Sequence, residues 1–180
     1  GNCFQHLTQL KELDLSHTIL NSDNKDYNIL GRLKQLEKFK FNGIEPCGLF
    51  KLYKLSELVN LRELRLKITQ YDLDQFREML KRHQQQRPDE PDPSPAYDDL
   101  CYFILRDMTN MAHLRLTYSK LTYINKRVLS QMKDLSDLVL EGNNIQDISD
   151  DTFDSLANLE YINLTRNPLR KIKLNRLFLK

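Results

Sequence analysis

The sequence predicts an α/β solenoid: an arc of stacked coils, each giving a short parallel strand to a concave face and a turn or short helix to the convex side. Three observations predict it. Leucine fills 33 of the 180 positions, an excess that implies a repeated structural slot. The pattern Leu138, Leu140, Asn143 returns 24 residues later as Ile162, Leu164, Asn167, and stands 24 residues earlier as Leu114, Leu116, Ser119. A fixed period of this length is the mark of a repeat architecture. Finally, the positions nine, six and three residues before each strand are apolar in all six repeats.

The elements follow in order. Leu13 and Leu15 lead the first strand, Phe39 and Phe41 the second, Leu64 and Leu66 the third, at spacings of 26 and 25 residues. The last three strands carry Leu114, Leu138 and Ile162 in strict register. Alternation with period two sends the Leu-x-Leu side chains inward. The upstream slots hold Phe4, Leu7, Leu10; Leu30, Leu33, Leu36; Leu55, Leu58, Leu61; Leu105, Met108, Met111; Leu129, Met132, Leu135; and Phe153, Leu156, Leu159. One repeat cannot bury this surface alone, so neighbours stack into a continuous core. The Asn slot aims an amide at backbone groups of the strand's exit bend; Asn143 and Asn167 fit that role, and Thr18, Thr69 and Ser119 fit it in part. Ile44 cannot, so the second repeat is expected to be distorted there.

Three segments result: 1–69, irregular repeats one to three; 70–103, an insertion; and 104–180, regular repeats four to six and the start of a seventh. Within the insertion, Leu73, Phe76, Met79 and Leu80 have helical spacing over residues 72–83, with Asp72 as N-cap and Lys81, Arg82 and His83 suiting the C-terminal end. Residues 84–99, QQQRPDEPDPSPAYDD, carry four prolines and read as an extended or disordered acidic loop. That loop is either a tolerated surface excursion or a functional, protease-sensitive one. Phe4 is already in phase with the first repeat and Leu177 falls where a seventh begins, so an uncapped fragment is expected.

Composition narrows the function. Net charge is +2, which by itself calls for neither nucleic acid nor an acidic membrane. No apolar run approaches the roughly 18 residues of a membrane span. Cys3, Cys47 and Cys101 are too sparse for a zinc cluster. Two readings stay open: buried reduced thiols, or a Cys47–Cys101 bridge in a secreted protein. His6, His17, His83 and His113 are scattered, glycines number five, and no nucleophile–base set converges by register. Neither an enzyme nor a cofactor or metal is expected.

The repeats resemble those of the leucine-rich-repeat family, over nearly the whole chain. The stretch ISDDTFDSLANLEYINLTRNPL is similar to the 24-residue typical subclass found in Toll-like receptors, small leucine-rich proteoglycans and related animal ectodomains. The resemblance implies a binding protein in the extracellular space or endosomal lumen, membrane-anchored or secreted. Some Toll-like receptors carry an inter-repeat insertion like the one read here.

Binding chemistry belongs to the concave strands. The slot between the two core residues reads Asp14, Lys40, Arg65, Arg115, Val139 and Asn163. If the insertion loops out, Lys40, Arg65 and Arg115 stand in a row about 4.8 Å apart, flanked by Lys38 and Lys67. Like charges side by side are mildly destabilising, a cost retained for an anionic ligand or acidic partner. The bland alternative has these chains splayed into water or paired with Glu63 and nearby acids. Glu12, Asp14, Asp137 and Glu141 make the face banded, so nucleic acid is the weaker reading. Tyr118 and Tyr161 lie on or beside the same face, either as anchors or as ordinary strand tyrosines. Asn163-Leu164-Thr165 is an N-glycosylation sequon.

The leading expectation is therefore a ligand- or protein-binding segment of an extracellular recognition receptor of innate-immune, Toll-like type, with a receptor dimer as one partner reading. A cell-adhesion or matrix protein and an intracellular scaffold are the alternatives.

Overall fold

A computed structural model describes residues 6–18, 30–42, 55, 57–68, 74, 78 and 100–170, with the side chains of residues 100, 101 and 103 outside that description. Six strands form one parallel sheet in chain order: β1 (Glu12–Asp14), β2 (Lys38–Phe41), β3 (Glu63–Leu66), β4 (His113–Leu116), β5 (Asp137–Val139) and β6 (Tyr161–Asn163). The core residues align as the periodicity predicts: Leu13 with Phe39, Phe39 with Leu64, Leu64 with Leu114, Leu114 with Leu138, and Leu138 with Ile162. β3 therefore pairs directly with β4 across a 50-residue spacing, with the register intact.

The convex side is built from tight turns. Amides of Leu33, Leu36, Leu58, Leu61, Met108, Met132, Leu135, Leu156 and Leu159 each donate to the carbonyl three residues before, which is itself an apolar slot. Period three is the geometry of a 3₁₀ turn, which eclipses side chains at i and i+3 and lines them up on one face. Leu30–Arg32 is a full 3₁₀ turn, and the regular half adds two short helices, α1 (Leu100–Leu105) and α2 (Lys126–Leu129). Asn125 caps α2, its side-chain oxygen accepting from the Arg127 amide at 2.9 Å. The slots and strand residues together make one core: Leu33, Leu36, Leu55, Met111, Met132, Leu135 and Leu138 are fully buried.

Polar groups tie each coil to the one before it. Buried Asn143 accepts from the amides of Ser119 (2.9 Å) and Leu121 (3.1 Å) and donates to the carbonyls of Leu116 (2.8 Å) and Leu140 (2.7 Å). Asn167 repeats this one coil later, donating to Leu140 and Leu164 and accepting from Ile145. Ser119 does part of the work, accepting from the Ile68 amide and donating to the Thr117 carbonyl. Thr18 reaches only its own coil, donating to Leu15. A second series, unread in the sequence, lies at the convex turns: the amides of Asn60, Asn110 and Asn158 donate to the carbonyls of Lys34, Val59 and Lys133.

The residue before four of the Asn slots turns the chain sharply. His17, Tyr118, Gly142 and Arg166 occupy this one position and all have positive φ, between 51° and 70°. Ile68 holds the same slot without adopting that conformation, as expected of a β-branched residue.

Several expectations lie outside the described residues: Ile44 and Thr69, the loop at 84–99, Cys3 and Cys47, and Leu177. Of the helix read at 72–83, Asp74 and Glu78 are described and both are helical. Cys101 lies in α1, but its side chain is not described, so the Cys47–Cys101 pairing is outside the description as well.

Candidate concave binding face

Two rows of outward positions cross the sheet. The first reads Glu12, Lys38, Glu63, His113, Asp137, Tyr161; the second reads Asp14, Lys40, Arg65, Arg115, Val139, Asn163. The predicted basic row is thus contiguous: Lys40 is the register partner of Arg65, and Arg65 of Arg115. Lys38 begins β2, and exposed Lys67 follows β3 at the exit rim, its amide bonded to the Phe41 carbonyl. One position departs from the reading of an open face: Val139, on the outward row and outside the core cluster, is covered to 3% exposure. An apolar side chain between arginine and asparagine neighbours gains by being covered.

The cations differ in what holds them. Lys40 Nζ lies 2.8 Å from Glu12, which lowers the Glu12 pKa and raises that of Lys40. Arg65 Nε donates to Glu63 at 2.7 Å, and Lys38 lies 3.9 Å from the same carboxylate. Glu63 is itself buried between them. Arg115 stands apart: its Nε is buried and has no hydrogen-bond partner. Lys67 likewise makes no ion pair among the described residues. Its register neighbours explain the vacancy beside Arg115. β5 presents Val139 there, and the nearest acid, Asp137, is engaged one row away.

Asp137 accepts from the Ser136 hydroxyl at 2.7 Å and sits 2.8 Å from His113 Nδ1. The Ser136 hydrogen bond, then His113 and the positive charge of Arg115, hold its carboxyl below the usual range against the opposing effect of burial. This serine, histidine and aspartate do not form a relay for nucleophilic attack. Such a relay needs the hydroxyl at one ring nitrogen and the carboxylate at the other, whereas here both meet Nδ1.

Tyr118 lies at the exit rim beside the face, not within either row. Its hydroxyl donates to Glu141 at 3.0 Å and accepts from Arg166. The ring lies over Gly142, where an added Cβ would come within 2.5 Å of two ring carbons. Arg166 was not singled out by sequence; the 48-residue separation hides it, and the shared left-handed slot two coils apart is the signal that finds it. Tyr161 is 49% exposed on β6. Asn163, two residues on, accepts from the Thr165 amide (2.9 Å) and hydroxyl (2.7 Å).

Among the described residues no three His, Cys, Asp or Glu side chains are grouped to hold a metal ion. None of the described helices is long and apolar enough to cross a membrane.

Comparison with known proteins agrees with this geometry. A leucine-rich-repeat family model matches residues 109–169 and 135–178. No curated protein matches the chain by sequence. Among solved structures, internalin C2 from Listeria monocytogenes is similar with a TM-score of 0.54 and 17% identity, over 91% of this chain and 55% of that one. A leucine-rich-repeat protein from Leptospira interrogans gives 0.54 and 18%, over 99% of this chain and 43% of the other. TLR13 in its complex with ssRNA13 gives 0.54 and 19%, over 94% and 24%. The chain thus spans between about a quarter and about half the length of these proteins. At this identity the likeness is one of fold.

Proposed function

We propose that this chain, a repeat solenoid whose residues 109–178 match a leucine-rich-repeat model, is a binding segment of an extracellular recognition receptor of innate-immune, Toll-like type, which takes an acidic protein segment on its concave face. The observation that carries the acidic partner is Arg115. A buried, unsatisfied polar atom costs about 1–3 kcal/mol and calls for an explanation. Arg115 as a whole is half-buried, and a ligand carboxylate meeting the accessible part of its guanidinium makes a planar, charge-assisted contact. Lys67, on the neighbouring strand's exit, is exposed and adds a second cation without an ion pair among the described residues. Lys40 and Arg65 are already committed to acids of this chain, so the ligand's footprint centres on β3 and β4.

The receptor reading is supported by the similarity of the last repeats to animal ectodomains and by the sequon at Asn163. Adhesion and matrix proteins share those repeats; an intracellular scaffold would leave the sequon unused. Nucleic acid remains the weaker ligand because the face is banded: Glu12, Glu63 and Asp137 punctuate the first row, and the three cations of the second are bounded by Asp14 and Val139.

The test is a fluorescence-anisotropy titration with a labelled polyglutamate peptide, and a single-stranded RNA of equal charge as competitor. Arg115→Ala is expected to weaken peptide binding ten- to hundredfold, the loss of one charge-assisted contact worth roughly 1.5–3 kcal/mol. Arg115→Lys retains the charge without Nε–H and is expected to fall between. Arg170→Ala, at an exposed position outside the strands, is the control. Equal affinity of wild type and Arg115→Ala would overturn the proposal, and preference for the RNA would reassign the ligand class.

A further inference from the structure

We infer that Tyr161 is the seat of a glycan on Asn163: the first sugar ring of an N-linked chain lies against the tyrosine face and closes off the β6 end of the concave surface. This rests on the secretory reading above and goes beyond it by assigning the sugar a protein partner and the ligand a boundary.

Three observations on one strand carry it. The acceptor is prepared: Asn163 Oδ1 takes hydrogen bonds from both the amide and the hydroxyl of Thr165, while Nδ2 has no partner among the described residues. The amide oxygen is thereby fixed and the nitrogen is left available to react. The aromatic ring is placed: Tyr161 and Asn163 are two apart on β6, with Ile162 between them on the core side. Residues i and i+2 of a strand point to the same face, roughly 7 Å apart. A hexose ring attached to Nδ2 spans that gap. The ring is also open, at 49% exposure, although burying a tyrosine is favourable. An apolar sugar face set against it covers this surface while the hydroxyls stay in water.

The donor is a lipid-linked diphosphate oligosaccharide. Nδ2 forms a bond to the sugar's C1, the C1–oxygen bond to the diphosphate breaks, the lipid diphosphate leaves, and one amide proton is lost to base. No oxidant or reductant is involved.

The placement bears on ligand binding. β6 is two strands from β4, roughly 10 Å at the spacing of a sheet. A glycan there leaves Arg115 open but bars a ligand from spreading past β5. Tyr161 then serves the sugar and is not a ligand anchor.

The experiment compares the whole chain secreted from animal cells with the chain made in bacteria, for wild type, Tyr161→Ala and Tyr161→Phe. Intact mass reads occupancy at Asn163, and thermal midpoint reads the coupling between sugar and ring. Wild type and Tyr161→Phe are expected to be occupied, and to melt roughly 2–4 °C higher with the glycan than without it, the shift about 1 kcal/mol produces in a chain of this size. Tyr161→Ala is expected to lose that difference. Any effect of cysteine oxidation is common to all three chains and cancels in the comparison. An occupied Asn163 with the same shift in Tyr161→Ala would overturn the seat while leaving the secretory reading standing. An empty Asn163 in the secreted wild type would overturn both.

Discussion

The two halves of the sheet share a register but not a way of closing their coils. From β4 to β6, buried or half-buried asparagines bind the carbonyls of their own coil and the preceding one. At β1, Thr18 bonds only within its coil, and Ile68 after β3 must borrow the Ser119 hydroxyl from the following coil. A primary amide has two donors and a two-lone-pair acceptor, and a hydroxyl has a single donor. The regular half is therefore cross-linked by side-chain amides at the β5 and β6 exit bends, whereas the bend after β1 has only a hydroxyl bonded within its own coil. The face follows the same division: cations on β2 and β3 are paired within the chain, while the Arg115 Nε on β4 has no hydrogen-bond partner among the described residues.

The comparison breaks most readily at Asn143. Replacing it with alanine strands the amides of Ser119 and Leu121 and the carbonyls of Leu116 and Leu140, and is expected to cost about 3–5 kcal/mol in urea unfolding. Thr18→Ala removes one bond to Leu15 and is expected to cost about 1 kcal/mol. Similar losses at the two sites would contradict the division.

Gly142→Ala comes next. The position needs positive φ, and a methyl there meets the Tyr118 ring. A cost of about 1–3 kcal/mol is expected from backbone and packing together. The paired change Gly142→Ala, Tyr118→Ala should recover the packing part, measurable as a double-mutant cycle.

The smallest effect is one of pH. Because the folded Asp137 carboxyl titrates below its unfolded value, it adds stability that is fully present above about pH 4 and lost as pH falls through its lowered pKa. Asp137→Asn is expected to be less stable than wild type at pH 6 and to show a shallower loss between pH 4 and 2. Parallel acid-unfolding curves would show that the Ser136 and His113 contacts carry no weight.

Much of this was legible from residue spacing. Period 24 placed β4, β5 and β6, the apolar triplets placed the turns, and the inward asparagines were read correctly at 143 and 167. The row Lys40, Arg65, Arg115 was legible because strand register is fixed wherever one face is buried. What spacing could not give was the state of each cation. Whether Lys40 meets Glu12, or the Arg115 Nε lacks a partner among the described residues, depends on side-chain reach across neighbouring coils. Nor could it show Val139 covered, since alternation assigns a residue to a face without saying what overlies it. The convex asparagines at 60, 110 and 158 were visible as a repeated letter, but their use rests on a turn carbonyl in the previous coil.

The most direct test of the recognition face is the arginine side-chain Nε–H spectrum of the ¹⁵N-labelled chain during titration with the polyglutamate peptide. The Arg115 signal, assigned by its loss in Arg115→Lys, is predicted to move saturably as a carboxylate docks against its guanidinium, while Arg65, already bonded to Glu63, stays close to its starting position. An unmoved Arg115 signal, with shifts confined to exposed arginines such as Arg127 and Arg170, would contradict the account.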